Sequence, residues 1–302
     1  MEYIGRYAPS PTGPLHFGSL VAAVASYCDA KANQGKWLLR IEDVDKPREV
    51  KGAADIILQQ LETFGFEWDG DVLYQSRRSE YYADALNHLQ KQQIIYPCTC
   101  TRKEIADSSH QFGVEGLVYP NTCLQHAIKP NTPAAFRVKT DSGIIRFNDA
   151  IQGNIAQKLN KDVGDFVLKR ADGFFTYQLA VVVDDAAQGV THIVRGADLL
   201  NSTPRQLYLQ QLLGLTHPTY AHVPVATNQA GEKLSKQTKA PAINTQLIGQ
   251  NLFDALTFLG QQPPVKIKTN RLAEIWNWAI EHWQLAMIPR QNCVFYHTQI
   301  NI

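Results

Sequence analysis

The sequence has no excess of charge of either sign and no long apolar run. Its 29 Lys and Arg residues almost balance its 28 Asp and Glu residues, which leaves a formal net charge of +1. A global basic field is therefore excluded, and any site for a polyanion must be a local basic patch. The chain also lacks the roughly 18 consecutive apolar residues of a membrane helix. It lacks the N-terminal pattern of a signal peptide as well, so we expect no membrane association.

Cysteine is scarce and odd in number. The five cysteines follow no secretory signal, and this combination favours a reducing cytoplasm over a disulfide scaffold, so we expect a cytoplasmic protein. With 302 residues and 44% hydrophobic content, the chain is long enough for a sizeable globular core. Three of the cysteines, Cys98, Cys100 and Cys123, fall within one 26-residue stretch, and this crowding needs its own explanation.

Strand-like and helix-like segments alternate in the first hundred residues. YIGRYA (3–8) and the mostly apolar WLLRIED (37–43) are typical of strands, the second of a buried parallel strand. Apolar residues at helical spacing predict helices over 16–34, 52–65 and 79–93. This order predicts a doubly wound α/β sheet.

The alternation is interrupted from Pro97 to about Asn160, where turns and short β-like pieces indicate an inserted subdomain. It resumes with a strand, a helix and a strand over 165–196, and the tail after about residue 240 is predicted to be helical. The predicted domains are a catalytic domain of residues 1–96 and 161–240, an insertion of residues 97–160 and a helical segment of residues 241–302.

A loop rich in proline and glycine, RYAPSPTGPLHFGS (6–19), joins the first strand to the first helix. Backbone N–H groups and the helix dipole meet at such a junction, and glycine lets a phosphate approach closely. His16 precedes the helix and has the N–H groups to donate to phosphate oxygens. The alternative is a structural turn with a capping or surface histidine.

A second loop, GEKLSKQTKA (231–240), carries Lys233, Lys236 and Lys239. Taken alone, a loop of this composition is usually a solvated basic loop. Together with His16 it predicts a clamp for a triphosphate, in which a carboxylate attacks the α-phosphorus. Such a nucleophile is already ionised, so the protein supplies position and positive charge.

These motifs resemble the class I aminoacyl-tRNA synthetases in their glutamate/glutamine form. The first loop is similar to the first signature of that family, and KLSK is similar to the second. Four further blocks agree in the family's order: RIEDVD (40–45), YQSRRSEYY (74–82), YPCTC (96–100) and VRGADLLNSTPRQ (194–206). The resemblance spans residues 3–239 and implies an α/β Rossmann-type parallel sheet with an inserted zinc-bearing subdomain and a helical C-terminal segment.

The resemblance also implies the site residues. His16 and Lys236 would be catalytic, and these two with Gly18 and Lys233 would bind ATP, together with Mg²⁺. Ser19 and Gln237 depart from the family's usual residues. A glutamate substrate needs cations for its carboxylates and an acceptor for its ammonium group. The residues implied to bind glutamate are Arg6, Ala8, Ser10, Glu42, Tyr177 and Arg195, with Arg195 on the side-chain carboxylate. Alternatively, Arg6 and Glu42 pair with each other across neighbouring strand ends.

The cysteine cluster predicts one structural zinc ion. Cys98, Cys100 and Cys123 supply three thiolates, and zinc stabilises small loop-rich subdomains. Imidazole is the commoner fourth zinc ligand, which makes His110 and His126 candidates. The resemblance instead implies Tyr119, which three residues separate from Cys123 in the pattern Tyr-x3-Cys. The alternative is three reduced cysteines without metal.

Only 66 residues follow Lys236, and residues 241–302 hold four Lys or Arg against three Asp or Glu. This length leaves no room for the helical anticodon-binding region of the full glutamate-charging enzymes. The chain therefore resembles the compact members of the family, which join glutamate to the queuosine base at the wobble position of tRNA(Asp). We expect a monomer that binds the anticodon stem-loop of that tRNA. The alternatives are a truncated enzyme that charges the tRNA 3′ end, a tRNA-binding protein without catalysis, and an unrelated nucleotidyltransferase.

Overall fold

The computed structural model of the chain describes residues 2–125, 128, 132–234 and 241–296. The strands are β1 (Ile4–Tyr7), β2 (Lys36–Ile41), β3 (Leu73–Tyr74), β4 (Ile95–Cys98), β5 (Phe112–Gly113), β6 (Gly116–Leu117), β7 (Ala135–Val138), β8 (Ile145–Asp149), β9 (Gly153–Gln157), β10 (Phe166–Lys169), β11 (His192–Gly196), β12 (Thr219–Val223), β13 (Val225–Thr227) and β14 (Cys293–Phe295). The helices are α1 (Phe17–Ala32), α2 (Ala53–Thr63), α3 (Ser79–Lys91), α4 (Arg102–Ser108), α5 (Thr122–Gln125), α6 (Leu159–Asp162), α7 (Tyr177–Ala187), α8 (Thr203–Leu212), α9 (Ile248–Phe258) and α10 (Leu272–Glu281). The predicted α/β class is confirmed.

Two sets of strands form the central layer. The first is the parallel set β1-β2-β3, and the second is β11-β12-β8 in parallel with β9 antiparallel at its edge. They meet where the Thr191 N–H donates to the Ile4 carbonyl at 2.9 Å, which places the starts of β1 and β11 side by side. The carboxyl ends of β1, β2 and β11 therefore lie at one edge, where open α/β sheets bind ligands.

A separate antiparallel sheet, β4-β7-β10, carries the cysteine-rich segment that follows β4. In the sequence, the β5–β6 hairpin lies between strands β4 and β7 of this sheet. Strands β8 and β9 also come from residues 97–160, yet they extend the sheet that contains β11 and β12. Part of the predicted insertion is thus built into the central layer.

Helix α1 is the centre of the larger core, because most of its residues are buried between the sheet and helices α9 and α10. An aromatic cluster of Tyr27, Trp37, Phe66 and Trp276 joins α10 to the first half of the chain, with ring centroids 4.8–5.5 Å apart. Trp276 Nε1 also donates to the Phe64 carbonyl at 2.9 Å. The C-terminal helices are therefore part of the main core.

The predicted helical tail is corrected in one respect. Strand β14 pairs in parallel with β13, so that Val225, Ala226 and Thr227 lie opposite residues 293–295. Its three residues are too few to show a strand period in the sequence. In the described part of the chain, no helix has the length and apolar character needed to cross a membrane.

Candidate active site

A cleft of about 420 Å³ opens at the carboxyl ends of β1, β2 and β11. Nine of the ten residues predicted to bind ATP or glutamate line it. They are Arg6, Ala8, Ser10, His16, Gly18, Glu42, Tyr177, Arg195 and Lys233. The tenth, Lys236, lies outside the described residues. Residues from six separate parts of the sequence thus meet in one cavity.

His16 is the N-cap of α1. Its Nδ1 accepts a hydrogen bond from the Ser19 N–H at 3.3 Å, so the proton of the neutral ring lies on Nε2. Gly18 lies beside it, and a Cβ at that position would come within 3.2 Å of the His16 ring and 3.5 Å of the Leu234 carbonyl. The start of the helix therefore packs closely against the start of the lysine loop.

Described residues on both sides of positions 235–240 contact residues in or next to the cleft. At the first end, Lys233 pairs with Thr227 in a β-bridge, and its Nζ contacts Asp198 at 2.6 Å. At the second end, Ala242 forms a bridge with His16, and the Ile243 N–H donates to the Leu15 carbonyl at 3.0 Å. Lys233 is thus fixed against β13 and Asp198, and residues 242–243 are fixed against the helix start that carries His16.

Arg6 and Glu42 are linked by hydrogen bonds through Asp185 and Arg40. Arg6 Nε donates to Asp185 Oδ1 at 3.2 Å, and Arg40 donates to the same oxygen at 2.7 Å and to Glu42 at 3.4 Å. Burial would raise the pKa of Asp185, but Arg40 and Arg6 outweigh it and hold this pKa below its ordinary value. Burial does raise the pKa of Glu42, against the opposing effect of Arg40 and Arg6. Asp185 is the common partner of both arginines.

Arg195 has only neutral hydrogen-bond acceptors among the described residues. Its Nε donates to His222 Nε2 at 3.0 Å, and Nη1 donates to the Tyr177 hydroxyl at 3.2 Å. Its Nη2 donates to Thr203 Oγ1 and Gln206 Oε1, each at 2.8 Å. A buried cation without an anion is costly. This end of the cleft therefore favours a ligand with an anionic group.

His222 and Asp149 lie behind Arg195 on neighbouring strands, with Arg195 opposite His222 in the β11–β12 register. Because His222 Nε2 accepts from Arg195, the ring proton lies on Nδ1, which donates to Asp149 Oδ2 at 2.6 Å. Burial lowers the pKa of His222 to about 4 despite the nearby Asp149 carboxylate, so the ring is neutral near pH 7. The row Asp149–His222–Arg195 thus crosses three strands.

Sequence reasoning missed Arg40, Asp149, Asp185 and His222. A signal exists for Asp185, because it interrupts the apolar helix segment YQLAVVVDDAA and must turn a carboxylate inward. Arg40 similarly interrupts an apolar strand. His222 and Asp149 lack a comparable signal, since their roles arise from contacts between strands that are distant in sequence.

The predicted metal ligands Cys98, Cys100, Tyr119 and Cys123 lie together beside the β4-β7-β10 sheet. The three sulfur atoms are within 4.8 Å of one another, and the Tyr119 hydroxyl is 3.4 Å from the sulfurs of Cys98 and Cys100. Zinc with Zn–S bonds of about 2.3 Å separates its sulfur ligands by about 3.8 Å. The three cysteines could therefore hold a metal ion, and the Tyr119 hydroxyl lies beside them as a fourth donor atom.

The thiols of this cluster differ in acidity, since burial raises the pKa of Cys100 to about 11. Burial would raise the pKa of the Cys123 thiol, but hydrogen bonds from Tyr119 and Thr99 lower it to about 6. Arg137 donates to Cys98 Sγ at 3.2 Å, and its guanidinium lies 3.9 Å from the centre of the Tyr119 ring. His110 is exposed and outside the cluster, and His126 lies outside the described residues.

Comparison with known proteins places this cleft in a family. A family model described as "tRNA synthetases class I (E and Q), catalytic domain" matches residues 4–259. The glutamyl-Q tRNA(Asp) synthetase of Dechloromonas aromatica is 56% identical over 293 residues, which are 97% of each chain. That of Chromobacterium violaceum is 55% identical over 287 residues, which are 95% of each chain. The glutamate-tRNA synthetase of Elizabethkingia anophelis has the same fold, with a TM-score of 0.80 and 24% identity over 99% of this chain and 69% of that chain.

The chain belongs to the class I tRNA synthetases for glutamate and glutamine, a class of ligases, and it has their fold. The resemblance seen in the sequence motifs is therefore confirmed. Within this class, the chain belongs to the glutamyl-Q tRNA(Asp) synthetase family.

Proposed function

We propose that this chain activates glutamate with ATP and transfers it to the queuosine base at the wobble position of tRNA(Asp). The observation that carries the proposal is Arg195, a buried cation with neutral partners, in a cleft that also contains His16 and Lys233. A buried guanidinium binds a carboxylate strongly and does not bind an amide in the same way. Glutamate is thus favoured over glutamine.

In the first step, the α-carboxylate of glutamate attacks the α-phosphorus of ATP, and pyrophosphate leaves. Arg195 would hold the side-chain carboxylate, and Glu42 with Tyr177 would bind the ammonium group. Arg6, Ala8 and Ser10 complete the amino-acid end of the cleft. Because the network through Asp185 fixes Arg6, its guanidinium would meet the α-carboxylate as a preorganised hydrogen-bond donor.

The phosphates would lie at the other end, above the start of α1. His16 would donate from Nε2, Gly18 would admit the triphosphate, and Lys233 and Lys236 would neutralise developing charge, together with Mg²⁺ as in this class. Lys233 would exchange its contact with Asp198 for one with phosphate.

In the second step, a hydroxyl of the queuosine cyclopentene ring attacks the carbonyl carbon of the mixed anhydride, and AMP leaves with the acyl bond broken. The proton of that hydroxyl is lost to solvent or to the phosphate of the leaving AMP. We propose that the anticodon stem-loop enters the cleft, because unpaired loop bases can be splayed out and recognised at their edges.

We further propose that residues 97–160 form a zinc-bearing insertion that contacts RNA, between catalytic residues 1–96 and 161–240. Residues 241–302 would support the lysine loop, and the protein would act as a cytoplasmic monomer. Cys98, Cys100, Tyr119 and Cys123 would hold the zinc ion, whose chemistry here is structural, since it crosslinks a loop-rich segment.

The test is incorporation of radiolabelled glutamate into tRNA(Asp) that contains or lacks queuosine. We expect labelling only with queuosine, and we expect the label to survive removal of the 3′-terminal adenosine. Label that leaves with this adenosine would show ordinary charging instead. Exchange of pyrophosphate into ATP that does not depend on glutamate would contradict the first step.

A further inference from the structure

We infer that the neutral acceptors around Arg195 determine the selectivity of the cleft for an anionic amino-acid side chain. These acceptors, the neutral shell, are Tyr177, Thr203, Gln206 and His222. The inference rests on the proposed function and deepens it, because it assigns specificity to residues that do not contact the reacting atoms.

The other two arginines at this edge of the sheet show the contrast. Arg6 and Arg40 share the Asp185 carboxylate, and Arg40 also contacts Glu42, so two cations face two carboxylates. Their charges are largely compensated before any ligand binds. Arg195 donates four hydrogen bonds, but none of its described acceptors carries a charge. These hydrogen bonds fix the position of Arg195, and its positive charge remains available to pair with an anionic ligand.

Asp149 keeps His222 oriented as a neutral acceptor for Arg195. Its carboxylate accepts from His222 Nδ1 and from the backbone N–H groups of Ile151, Gln152 and His222 at 2.9–3.1 Å. The negative charge is thereby satisfied on its own side of the imidazole ring. His222 separates this carboxylate from Arg195 and presents only a lone pair to the guanidinium. Asp149 and His222 are therefore positioning residues.

Gln206 is also oriented by a hydrogen bond on the side away from Arg195. Its Nε2 donates to Gln178 Oε1 at 3.1 Å, so its oxygen faces Arg195. Gln206 is 1% exposed, so this orientation is set by protein groups. Exchange of this amide for a carboxylate would alter the charge beside Arg195 without altering the size of the side chain.

Gln206→Glu is accordingly the decisive variant. We expect the KM for glutamate in pyrophosphate exchange to rise roughly 10–100-fold, the factor that corresponds to loss of one charged hydrogen bond. The KM for ATP and the kcat at saturating glutamate should change less than about threefold. The midpoint of thermal unfolding without ligand should stay equal or rise, because Arg195 gains an anionic partner.

Gln210→Glu is the matched control, one turn later on α8. Gln210 is 2% exposed and bonds to Tyr220 and His217 instead of Arg195. We expect this variant to unfold at a lower temperature and to keep a glutamate KM within about threefold of the parent. Equal glutamate KM values in the two variants, or a lower unfolding midpoint for Gln206→Glu than for Gln210→Glu, would overturn the inference.

Calorimetric titration with L-glutamate and L-glutamine separates this inference from the proposed reaction. Selective glutamate binding by the parent, lost in Gln206→Glu, supports the neutral shell even where no transfer to tRNA occurs. A parent that transfers glutamate to queuosine while Gln206→Glu keeps full selectivity would retain the function and refute the inference.

Discussion

At the scale of single residues, His16 combines two tasks in one ring. Its Nδ1 caps α1 through the Ser19 N–H, and its other nitrogen carries the proton that would reach a phosphate. The capping histidine and the phosphate donor, which the sequence leaves as alternatives, are therefore compatible. Substitutions that keep one task and remove the other distinguish their contributions.

We predict that His16→Asn keeps the cap but, because its side chain is shorter than the imidazole, withdraws the N–H donor from the phosphates, whereas His16→Ala loses both. Asparagine is a favoured N-cap, and its replacement by alanine costs about 1 kcal/mol. Loss of a donor to developing charge lowers the rate roughly 10²–10³-fold. Both variants should therefore lose pyrophosphate exchange, and only His16→Ala should lose stability in urea. Normal exchange by His16→Asn would leave the histidine with a structural task alone.

Lys236→Ala should lower glutamate-dependent pyrophosphate exchange by about 10²–10³-fold, because it removes the second cation of the phosphate clamp. Lys239→Ala, in the same loop, serves as the control for general loss of positive charge. Similar exchange rates for the two variants would remove any special role of Lys236.

His222 should make stability depend on pH. Its pKa in the folded protein is lowered to about 4, whereas an unfolded histidine takes up its proton near 6.5. Between these values only the unfolded chain binds the proton, so stability is full above pH 6.5 and decreases as the pH falls toward 4. We expect a loss of about 2 kcal/mol between about pH 7.5 and about pH 5.

His222→Gln supplies the control for this pH dependence, because glutamine can still accept from Arg195 and does not titrate. Its urea-unfolding free energy should vary less over the same pH range than that of the parent. The same slope in both proteins would assign the pH dependence to other groups.

At the scale of elements, the cysteine cluster lies next to the edge of a small sheet, with few buried apolar residues of its own. We predict about one zinc ion per purified chain, held mainly by sulfur. Cys100→Ser should reduce zinc content and expose the insertion to proteolysis, with a smaller effect on pyrophosphate exchange. Cys293→Ser, which changes an exposed cysteine outside the cluster, should keep the metal. Metal-free parent protein of unchanged stability would contradict the site.

The elements themselves differ in how well the sequence predicts them. Helices α1, α2 and α3 follow the apolar periodicity to within a few residues of the predicted ends. Strands β8 and β9 are recognisable as strands, but the second partner of β8, strand β12, lies some seventy residues away in sequence, and no local pattern specifies it. The same limit applies to Asp149 and His222, which meet because these strands pair. His16 is singled out by the chemistry of its loop, whereas Arg6 is implied only by the resemblance to the family.

At the scale of the whole molecule, the aromatic cluster around Trp276 unites the C-terminal helices with the first strands. Trp276→Ala should lower the free energy of unfolding by about 3–5 kcal/mol, as for other large buried aromatic side chains. Trp278→Ala, which changes a partly buried ring on the same helix, should cost less. A urea titration followed by fluorescence and by circular dichroism measures both, and equal costs would contradict the assigned position of Trp276 in the core.

The pairing of β13 with β14 has a consequence for the newly synthesised protein. Thr227 in β13 bridges to Lys233, and its carbonyl accepts from the Tyr296 N–H at 2.9 Å. A ribosome releases His16, the first cleft residues and the lysine loop well before residues 293–296 emerge, and chains fold from the N-terminus as they appear. The strand that pairs with the base of the lysine loop is therefore made after the loop itself. A nascent chain would carry both loops of the proposed ATP site before this β13–β14 pairing could form.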